Sequence, residues 1–171
     1  MKGFTIRKKQ LGLAMIMATL KGSAKAVKIL LNNGADANAT TVGSGVKALL
    51  VAATAGHTEV GRLLLENGAD PNVKDTDTDF TPLMIAAAKG HDYFIKMLLD
   101  NGADIDLQTR DGYSALMVAA ASGNRTTVRL LIKRGANINL RTKREWSAVT
   151  YAKKHEYSEI VWALKEAGAE E

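Results

Sequence analysis

Cysteine is absent from the 171-residue sequence, and proline occurs only twice. Without cysteine the chain can form no disulfide framework, no thiolate metal site and no thiol nucleophile. Aromatic residues make up 5% of the chain, and no apolar run approaches the ~20 residues that a membrane helix needs. Hydrophobic residues nevertheless reach 46%, which predicts one globular domain with a continuous core.

One short motif recurs along the chain at a nearly constant interval. Its copies open with Gly-Ala and begin at Gly34, Gly68, Gly102, Gly135 and Gly168. The steps between these glycines are 34, 34, 33 and 33 residues. The residue 21 positions before each glycine marks an expected helix start, at Leu13, Lys47, Thr81, Ser114 and Ser147. Because that interval is constant, the length variation falls in the linkers, which predicts rigid units joined by length-tolerant loops.

Each unit is predicted to contain two short helices. In the third copy, Thr81 suits an N-cap and Pro82 suits the first helical position. Gly90 interrupts the chain, and residues 92–100 have apolar residues at helical spacing before Gly102, an expected left-handed C-cap. The first helices are rich in alanine and the second in larger aliphatic residues. We therefore expect the first helices to stack closely, with their side of the array concave, and the linkers to form hairpin-like fingers.

These motifs resemble those of the ankyrin-repeat family. The stretch Thr-Pro-Leu-Met-Ile-Ala-Ala at residues 81–87 resembles the family's helix-opening motif, and residues 56–72 resemble the second half of its repeat. The resemblance covers about residues 10–169. It implies an all-α solenoid of stacked helix-turn-helix repeats joined by β-hairpin-like fingers.

The resemblance also implies a single domain over residues 1–171, in which the first and last repeats act as caps. The repeats are expected at about residues 7–38, 39–72, 73–106, 107–139 and 140–171. The family usually has glycine at the turn of each finger. The residues at this position are Gly45, Asp79, Gly112 and Glu145, so only two of the four copies follow the family.

The N-terminal stretch is also typical of a cleavable secretory signal peptide. It has basic residues at 7–9, no charge over residues 11–20 and an Ala-x-Ala ending at Ala26. The repeat register favours a different interpretation, because residues 13–18 align with residues 81–86. We therefore expect the basic residues to be the solvated start of a capping helix, and the protein to be cytoplasmic.

The residues that could carry chemistry favour structural roles. His57 and His91 occupy equivalent places, which predicts helix-entry residues with satisfied hydrogen bonds rather than metal ligands or catalytic groups. Residues 75–79 contain three Asp, but the sixth and twelfth positions of an EF-hand loop would be Phe80 and Ala86 instead of Gly and Glu. A solvated turn is expected there, with a weak, opportunistic cation site as the alternative. No nucleophile–base pattern or phosphate loop is present, so we expect no enzyme activity, catalytic residue, cofactor or metal.

The expected interaction surface consists of the finger tips and the ends of the first helices. One finger residue directly precedes each expected helix start, and in successive repeats it is Val46, Phe80, Tyr113 and Trp146. Three of these four are aromatic, and we call the set the aromatic column. Aromatic residues are enriched at interface hot spots, and the alternative is that each ring packs on the neighbouring finger. Charge along the face is predicted to be acidic towards the middle and basic at the C-terminal end. The candidate contact residues are Asp79, Phe80, Lys89, Arg110, Asp111, Tyr113, Ser122, Lys143, Arg144, Trp146, Lys154 and His155.

The second helices carry a column of their own, six residues before each motif glycine. It reads Lys28, Arg62, Lys96, Arg129 and Trp162. We expect Trp162 to cover the exposed edge of the last repeat, because a terminal repeat has no neighbour to shield its core. The alternative is a second contact surface.

The sequence therefore favours a non-catalytic protein-interaction module that binds another protein through its finger tips and concave face. The alternative is an electrostatic binder of nucleic acid or another anionic surface, which the net charge of +5 and the basic clusters at both ends suggest. No recognised nucleic-acid motif is present, so nucleic acid is the less favoured partner. We expect no membrane contact and a monomeric protein.

Overall fold

The computed structural model describes residues 2–40 and 45–170, with side chains from Gln10 onward. These residues form ten α-helices in five successive pairs and no regular strand. The pairs are α1 (Lys2–Leu20) with α2 (Ala24–Asn32), α3 (Ala48–Ala55) with α4 (Thr58–Glu66), α5 (Pro82–Lys89) with α6 (Asp92–Asp100), α7 (Ala115–Ala121) with α8 (Arg125–Lys133), and α9 (Ala148–Lys154) with α10 (Ser158–Glu166).

The residues that cap α5 and α7 adopt the roles that the sequence predicts. The Thr81 hydroxyl accepts a hydrogen bond from the Met84 backbone N–H at 3.2 Å, and Pro82 opens α5. Ser114 caps α7 through the Met117 N–H at 3.4 Å. Gly90 ends α5 at φ 71°, in the left-handed region that favours glycine. Local capping therefore marks both ends of α5 and the start of α7.

The helices form two layers. The first helices of neighbouring pairs pack on one another from α1 through α9, and the second helices from α2 through α10 do the same. Alanines such as Ala52, Ala86 and Ala119 are fully buried between the first helices, because a methyl side chain permits close approach. Larger residues such as Leu64 and Leu98 fill the space behind them, each stabilising the fold by about 1.5–3 kcal/mol. This arrangement confirms the predicted all-helical solenoid.

The repeated motif also joins each repeat to the next. The Asn38 side chain donates to the Gly68 carbonyl at 2.7 Å and accepts from the Asp70 N–H at 3.0 Å. Asn72 makes the same two bonds one repeat later, at 3.3 and 2.7 Å. The side-chain Oδ1 of Asn139 accepts from the Glu170 N–H at 2.9 Å. The last residue of the motif is therefore a connector, since an amide can donate and accept at once.

The linkers form the expected hairpin-like fingers. Finger 2 is closed by a hydrogen bond from Asp75 N to Phe80 O at 2.9 Å. Finger 3 is closed from Thr109 N to Tyr113 O at 3.0 Å, and finger 4 from Thr142 N to Trp146 O at 2.9 Å. The turn residues adopt the left-handed conformation whether or not they are glycine, with φ values of 62° at Gly45, 63° at Asp79, 87° at Gly112 and 59° at Glu145.

The first repeat departs from the register-based start at Leu13. The helix α1 begins at Lys2 and runs for 19 residues, because nothing in the sequence before Leu13 punctuates it as Thr81-Pro82 punctuates α5. The basic residues 7–9 lie in α1, but their side chains, and so the prediction that they are solvated, fall outside the described part. Leu13, Met17 and Leu20 are 57%, 49% and 55% exposed along one stripe of α1.

Candidate protein-binding face

The candidate surface is the first-helix face, which we define as fingers 2–4 with the C-terminal ends of α5, α7 and α9. Lys89, Ser122 and His155 occupy equivalent positions at the ends of these helices, and all three are exposed. No side-chain contact joins Lys89 to Ser122 among the described residues. The structure thus places these candidates on one face at the spacing of the repeats, without building them into a single cluster.

The aromatic column is half-buried. Phe80, Tyr113 and Trp146 all pack against the core while keeping part of each ring accessible. The Trp146 ring meets Tyr151 edge-on at 5.2 Å between centroids, and Tyr113 lies 5.8 Å from the same ring. We call Tyr113, Trp146 and Tyr151 the aromatic cluster. Two of the rings therefore pack on α9, whereas the alternative interpretation placed them on a neighbouring finger.

Sequence reasoning missed Tyr151, the centre of this cluster. It is 8% exposed, and burial raises its pKa to about 12, with a contribution from the hydrogen bond between the Tyr151 and Tyr113 hydroxyls. Thr142 in finger 4 also bonds to the Tyr151 hydroxyl. The repeat register could have indicated the burial of Tyr151, because the equivalent residues of the other repeats, Met17, Val51, Ile85 and Val118, are all apolar. The cluster is a fixed, hydrogen-bonded platform, since its central group is buried and bonded.

A lysine lies over the platform. The Lys154 ammonium is 4.7 Å from the centre of the Trp146 ring, within the range of a cation–π contact. Lys154 is exposed, so the ring positions a charge that still faces solvent. The neighbouring His155 stacks on Tyr157 at 5.8 Å with an interplanar angle of 17°. The end of α9 therefore presents a cation and an aromatic surface side by side.

The acidic middle of the face is largely engaged within the fingers. Asp79 pairs with Arg110 of the next finger at 3.2 Å, and its side chain is only 14% exposed. Asp75 accepts from the Thr78 N–H and hydroxyl at 2.8 Å and from the Asp77 N–H at 3.1 Å. These bonds, led by the Thr78 N–H, lower the Asp75 pKa. Within residues 10–40 and 45–170, no group of three His, Cys, Asp or Glu side chains is placed to hold a metal ion.

The basic end of the face surrounds a small cleft. The cleft has a volume of about 190 Å³ and is lined by Asp111, Tyr113, Thr142, Lys143 and Arg144. Lys143 reaches Asp111 at 3.8 Å with both side chains more than 70% exposed, so this pair is loose. The backbone holds the two fingers together more firmly, through the Lys143 N–H and the Asp111 carbonyl at 2.9 Å.

Comparison with known families identifies the repeat. The family model for ankyrin repeats (three copies) matches residues 14–109 and 83–171. The chain belongs to the ankyrin-repeat family. Ankyrin repeats are generally protein–protein interaction modules. A comparison with curated proteins finds no match.

His57 and His91 of these ankyrin repeats make the predicted structural hydrogen bonds. The His57 ring Nε2 lies 3.4 Å from the Leu20 carbonyl, and His91 Nε2 lies 3.3 Å from the Thr54 carbonyl. In both cases the ring reaches back to the end of the preceding repeat's first helix. Asn124 makes the equivalent bond to the Ala87 carbonyl at 2.7 Å. In the fourth repeat an amide thus makes the bond that the imidazole makes in the second and third, which shows that the bond does not require a titratable group.

The expectation for Trp162 was wrong. Its side chain is 56% exposed and lies 6.0 Å from the Arg129 guanidinium of the preceding repeat. The reason is geometric, because Trp162 follows the register of the outward-facing basic residues on α2, α4, α6 and α8. It therefore lies on the second-helix face, opposite the candidate surface, and leaves the edge of the last ankyrin repeat to other residues.

No helix among the described residues of this ankyrin-repeat chain is both long and apolar enough to cross a membrane. The cations on its second-helix face are partly matched by acids. Arg62 pairs with Glu59 at 2.5 Å and also with Glu66, and hydrogen bonding to Arg62 lowers the Glu59 pKa. Arg125 pairs with Glu159 at 2.5 Å. Acids thus lie next to part of the positive charge on the second-helix face.

Proposed function

We propose that the chain is a non-catalytic module that binds another protein through the first-helix face. The observation that carries the proposal is the aromatic cluster, in which Tyr113 and Trp146 pack on the buried Tyr151 yet stay partly accessible. Lys154 lies over Trp146 at 4.7 Å. Rigid aromatic groups bury much area at a low entropic cost, so they contribute strongly to binding. The proposed contact residues are Asp79, Phe80, Lys89, Arg110, Asp111, Tyr113, Ser122, Lys143, Arg144, Trp146, Lys154 and His155.

Two tryptophans allow a matched test of this proposal. Trp146 lies on the first-helix face, and Trp162 lies on the opposite face at 56% exposure. Affinity for the partner purified from the native source should fall at least about tenfold for Trp146→Ala, the loss of an interface anchor. Trp162→Ala should change it by less than about twofold. Isothermal titration calorimetry measures both, and the reverse ranking would assign binding to the second-helix face.

Because Trp146 also packs on Tyr151, its loss could alter the fold itself. Lys154→Ala removes the ammonium above the ring and leaves the core untouched, since Lys154 is exposed. It should weaken binding about threefold to tenfold with an unchanged melting temperature. If Lys154→Ala and Trp146→Ala both bind the partner as the parent does, the aromatic cluster is structural and the proposal fails.

The second candidate function is binding of nucleic acid or another anionic surface through the basic ends. The observation in its favour is the composition of residues 1–35, which contain seven Lys or Arg and no Asp or Glu. Salt separates the two functions, because nucleic-acid affinity falls steeply with salt concentration. A partner held by aromatic anchors should remain bound at ~0.3 M salt, where exposed charges are screened.

We further propose a cytoplasmic monomer. The support for this location is that Met15 and Ile16, within the signal-like stretch, are buried in the core. Cleavage after Ala26 would remove both of them together with α1. Cell fractionation with an antibody against the chain checks the location, and sedimentation velocity checks the oligomeric state.

A further inference from the structure

The unpaired positive charges of the first-helix face lie at its C-terminal end. Asp75 is bonded within its own turn, and Asp79 is paired with Arg110 at 3.2 Å. The Arg144 guanidinium, by contrast, makes no hydrogen bond or ion pair with any described residue, although it lies beside the cleft between fingers 3 and 4. Lys154 lies over the face of Trp146 and makes no ion pair with a described residue. The unpaired cations therefore lie at the C-terminal end of the face, while Asp75, whose partners are uncharged N–H and hydroxyl groups, keeps the middle acidic.

From this we propose that the partner presents an acidic segment to the first-helix face, with a carboxylate seated between Arg144 and Lys143 at the cleft and a second near Lys154. The inference rests on the proposed function and names the chemistry of the partner. A guanidinium binds a carboxylate through two parallel N–H bonds. Arg144 is placed for this contact because it already faces the cleft and has no carboxylate partner among the described residues.

The cleft has the size and lining for such a group. Its volume is about 190 Å³, room for a single acidic side chain, and hydroxyl-bearing Tyr113 and Thr142 line it beside the two cations. Asp111 is the one acid in the lining. Its contact with Lys143 is 3.8 Å long and highly exposed, so a carboxylate from a partner can displace it at little cost.

The Trp146–Lys154 pair extends the same preference. The ring lies 5.2 Å from Tyr151, which fixes its orientation. The cation–π contact favours the Lys154 rotamer over this ring, so less entropy is lost when a carboxylate binds it. An apolar side chain next to that carboxylate would rest on the exposed part of Trp146. The favoured segment is thus acidic with at least one apolar residue, and electrostatic complementarity would orient it towards repeats 4 and 5.

A random-peptide phage library displayed against the full chain tests this directly. Selected peptides should be enriched in Asp and Glu, and replacing those residues by Asn and Gln should abolish binding in fluorescence anisotropy. Arg144→Glu and Lys154→Glu should each weaken a selected peptide at least about tenfold. The matched control is Arg129→Glu, an exposed arginine on the second-helix face, which should change the affinity less than about twofold.

The outcomes separate this inference from the proposed function. Neutral or basic peptides that still depend on Trp146 would overturn the acidic segment and leave the first-helix face as the binding site. Peptides that bind all of these variants equally, including Trp146→Ala, would overturn both. A labelled single-stranded DNA oligonucleotide that binds more tightly than any selected peptide, and loses affinity in Arg144→Glu, would assign the cationic end to nucleic acid instead.

Discussion

Thr19 and Thr81 are both buried, at 0% and 2% exposure, but their hydroxyls are in opposite situations. Thr81 caps α5 through the Met84 N–H at 3.2 Å. The Thr19 hydroxyl is the one buried side-chain polar atom among the described residues that has no hydrogen-bond partner. A buried polar group without a partner destabilises the folded state, whereas a hydroxyl that caps a helix stabilises it.

The same substitution should therefore have opposite effects at these two sites. Thr19→Val removes an unsatisfied hydroxyl at nearly constant volume and should raise the free energy of unfolding by about 1 kcal/mol. Thr81→Val removes the N-cap and should lower it by about 0.5–2 kcal/mol. Urea denaturation followed by circular dichroism measures both changes. A loss of stability in Thr19→Val would show that its hydroxyl is satisfied in solution.

Two glutamates have a strained backbone conformation. Glu145 and Glu156 have φ values of 59° and 60° at positions where other repeats carry glycine. Glu145→Gly and Glu156→Gly should each stabilise the chain by up to about 1 kcal/mol, because the left-handed conformation costs a residue with a Cβ. Gly112→Ala is the opposite control, since its Cβ would lie 2.8 Å from Thr142 Cα. Thermal melting of the three variants should rank the glutamate variants above the parent and Gly112→Ala below it.

At the scale of the element, finger 2 links stability to pH. The bonds from Thr78 lower the Asp75 pKa below its usual value of 3.8. A carboxylate with a lowered pKa in the folded state contributes stability above its unfolded pKa, and that contribution is lost as pH falls through the folded value. Asp75→Asn should therefore destabilise the chain at pH 7, and the difference from the parent should shrink below about pH 4.

The control for this titration is Asp77→Asn, which removes the same charge from the same finger. Its carboxylate accepts no backbone N–H among the described residues, so its effect at pH 7 should be smaller than that of Asp75→Asn. Guanidinium denaturation at a series of pH values gives the comparison. A difference for Asp75→Asn that is constant from pH 7 to pH 3 would contradict the role assigned to these bonds.

The elements also show what local sequence signals can predict. Thr81, Pro82 and Gly90 predicted the limits of α5, because caps and turns act over a few residues. The start of α1 was not predicted, since the stretch before Leu13 carries no such signal. Tyr151 and the Asp79–Arg110 pair were missed for a different reason. They depend on how one repeat packs on the next, and a repeat period gives the spacing of two residues along the chain but no contact between their side chains.

The whole molecule is a stack in which each repeat covers the next. Deleting residues 1–26 removes Met15 and Ile16 from the core and uncovers the flank of α3. The cost is roughly 1.5–3 kcal/mol for each large side chain uncovered, which is a large fraction of the stability of a small domain. The truncated chain should lose cooperative thermal melting by circular dichroism. A truncated chain that melts like the full one would restore the signal-peptide interpretation.

The two faces of the molecule differ in how their cations are placed, which the composition does not show. The net charge of +5 suggests a general attraction to anions. On the second helices, however, some cations lie next to acids, as in the ion pairs Arg125–Glu159 and Arg134–Asp100. The second-helix face has single rings beside cations, such as Trp162 beside Arg129. The first-helix face differs because Arg144 and Lys154, which have no carboxylate partner among the described residues, lie beside a cluster of three rings. This combination is the basis of the proposed binding site.

Hydrogen exchange with mass spectrometry on the full chain, free and bound to its partner from the native source, shows which face the partner covers. Binding through the first-helix face should slow amide exchange in fingers 2–4 and at the ends of α5, α7 and α9. Exchange in α8 and α10, around Trp162, should stay as it is in the free chain. Slowed exchange in α8 and α10 with none in fingers 3 and 4 would contradict the account and place the partner on the opposite face.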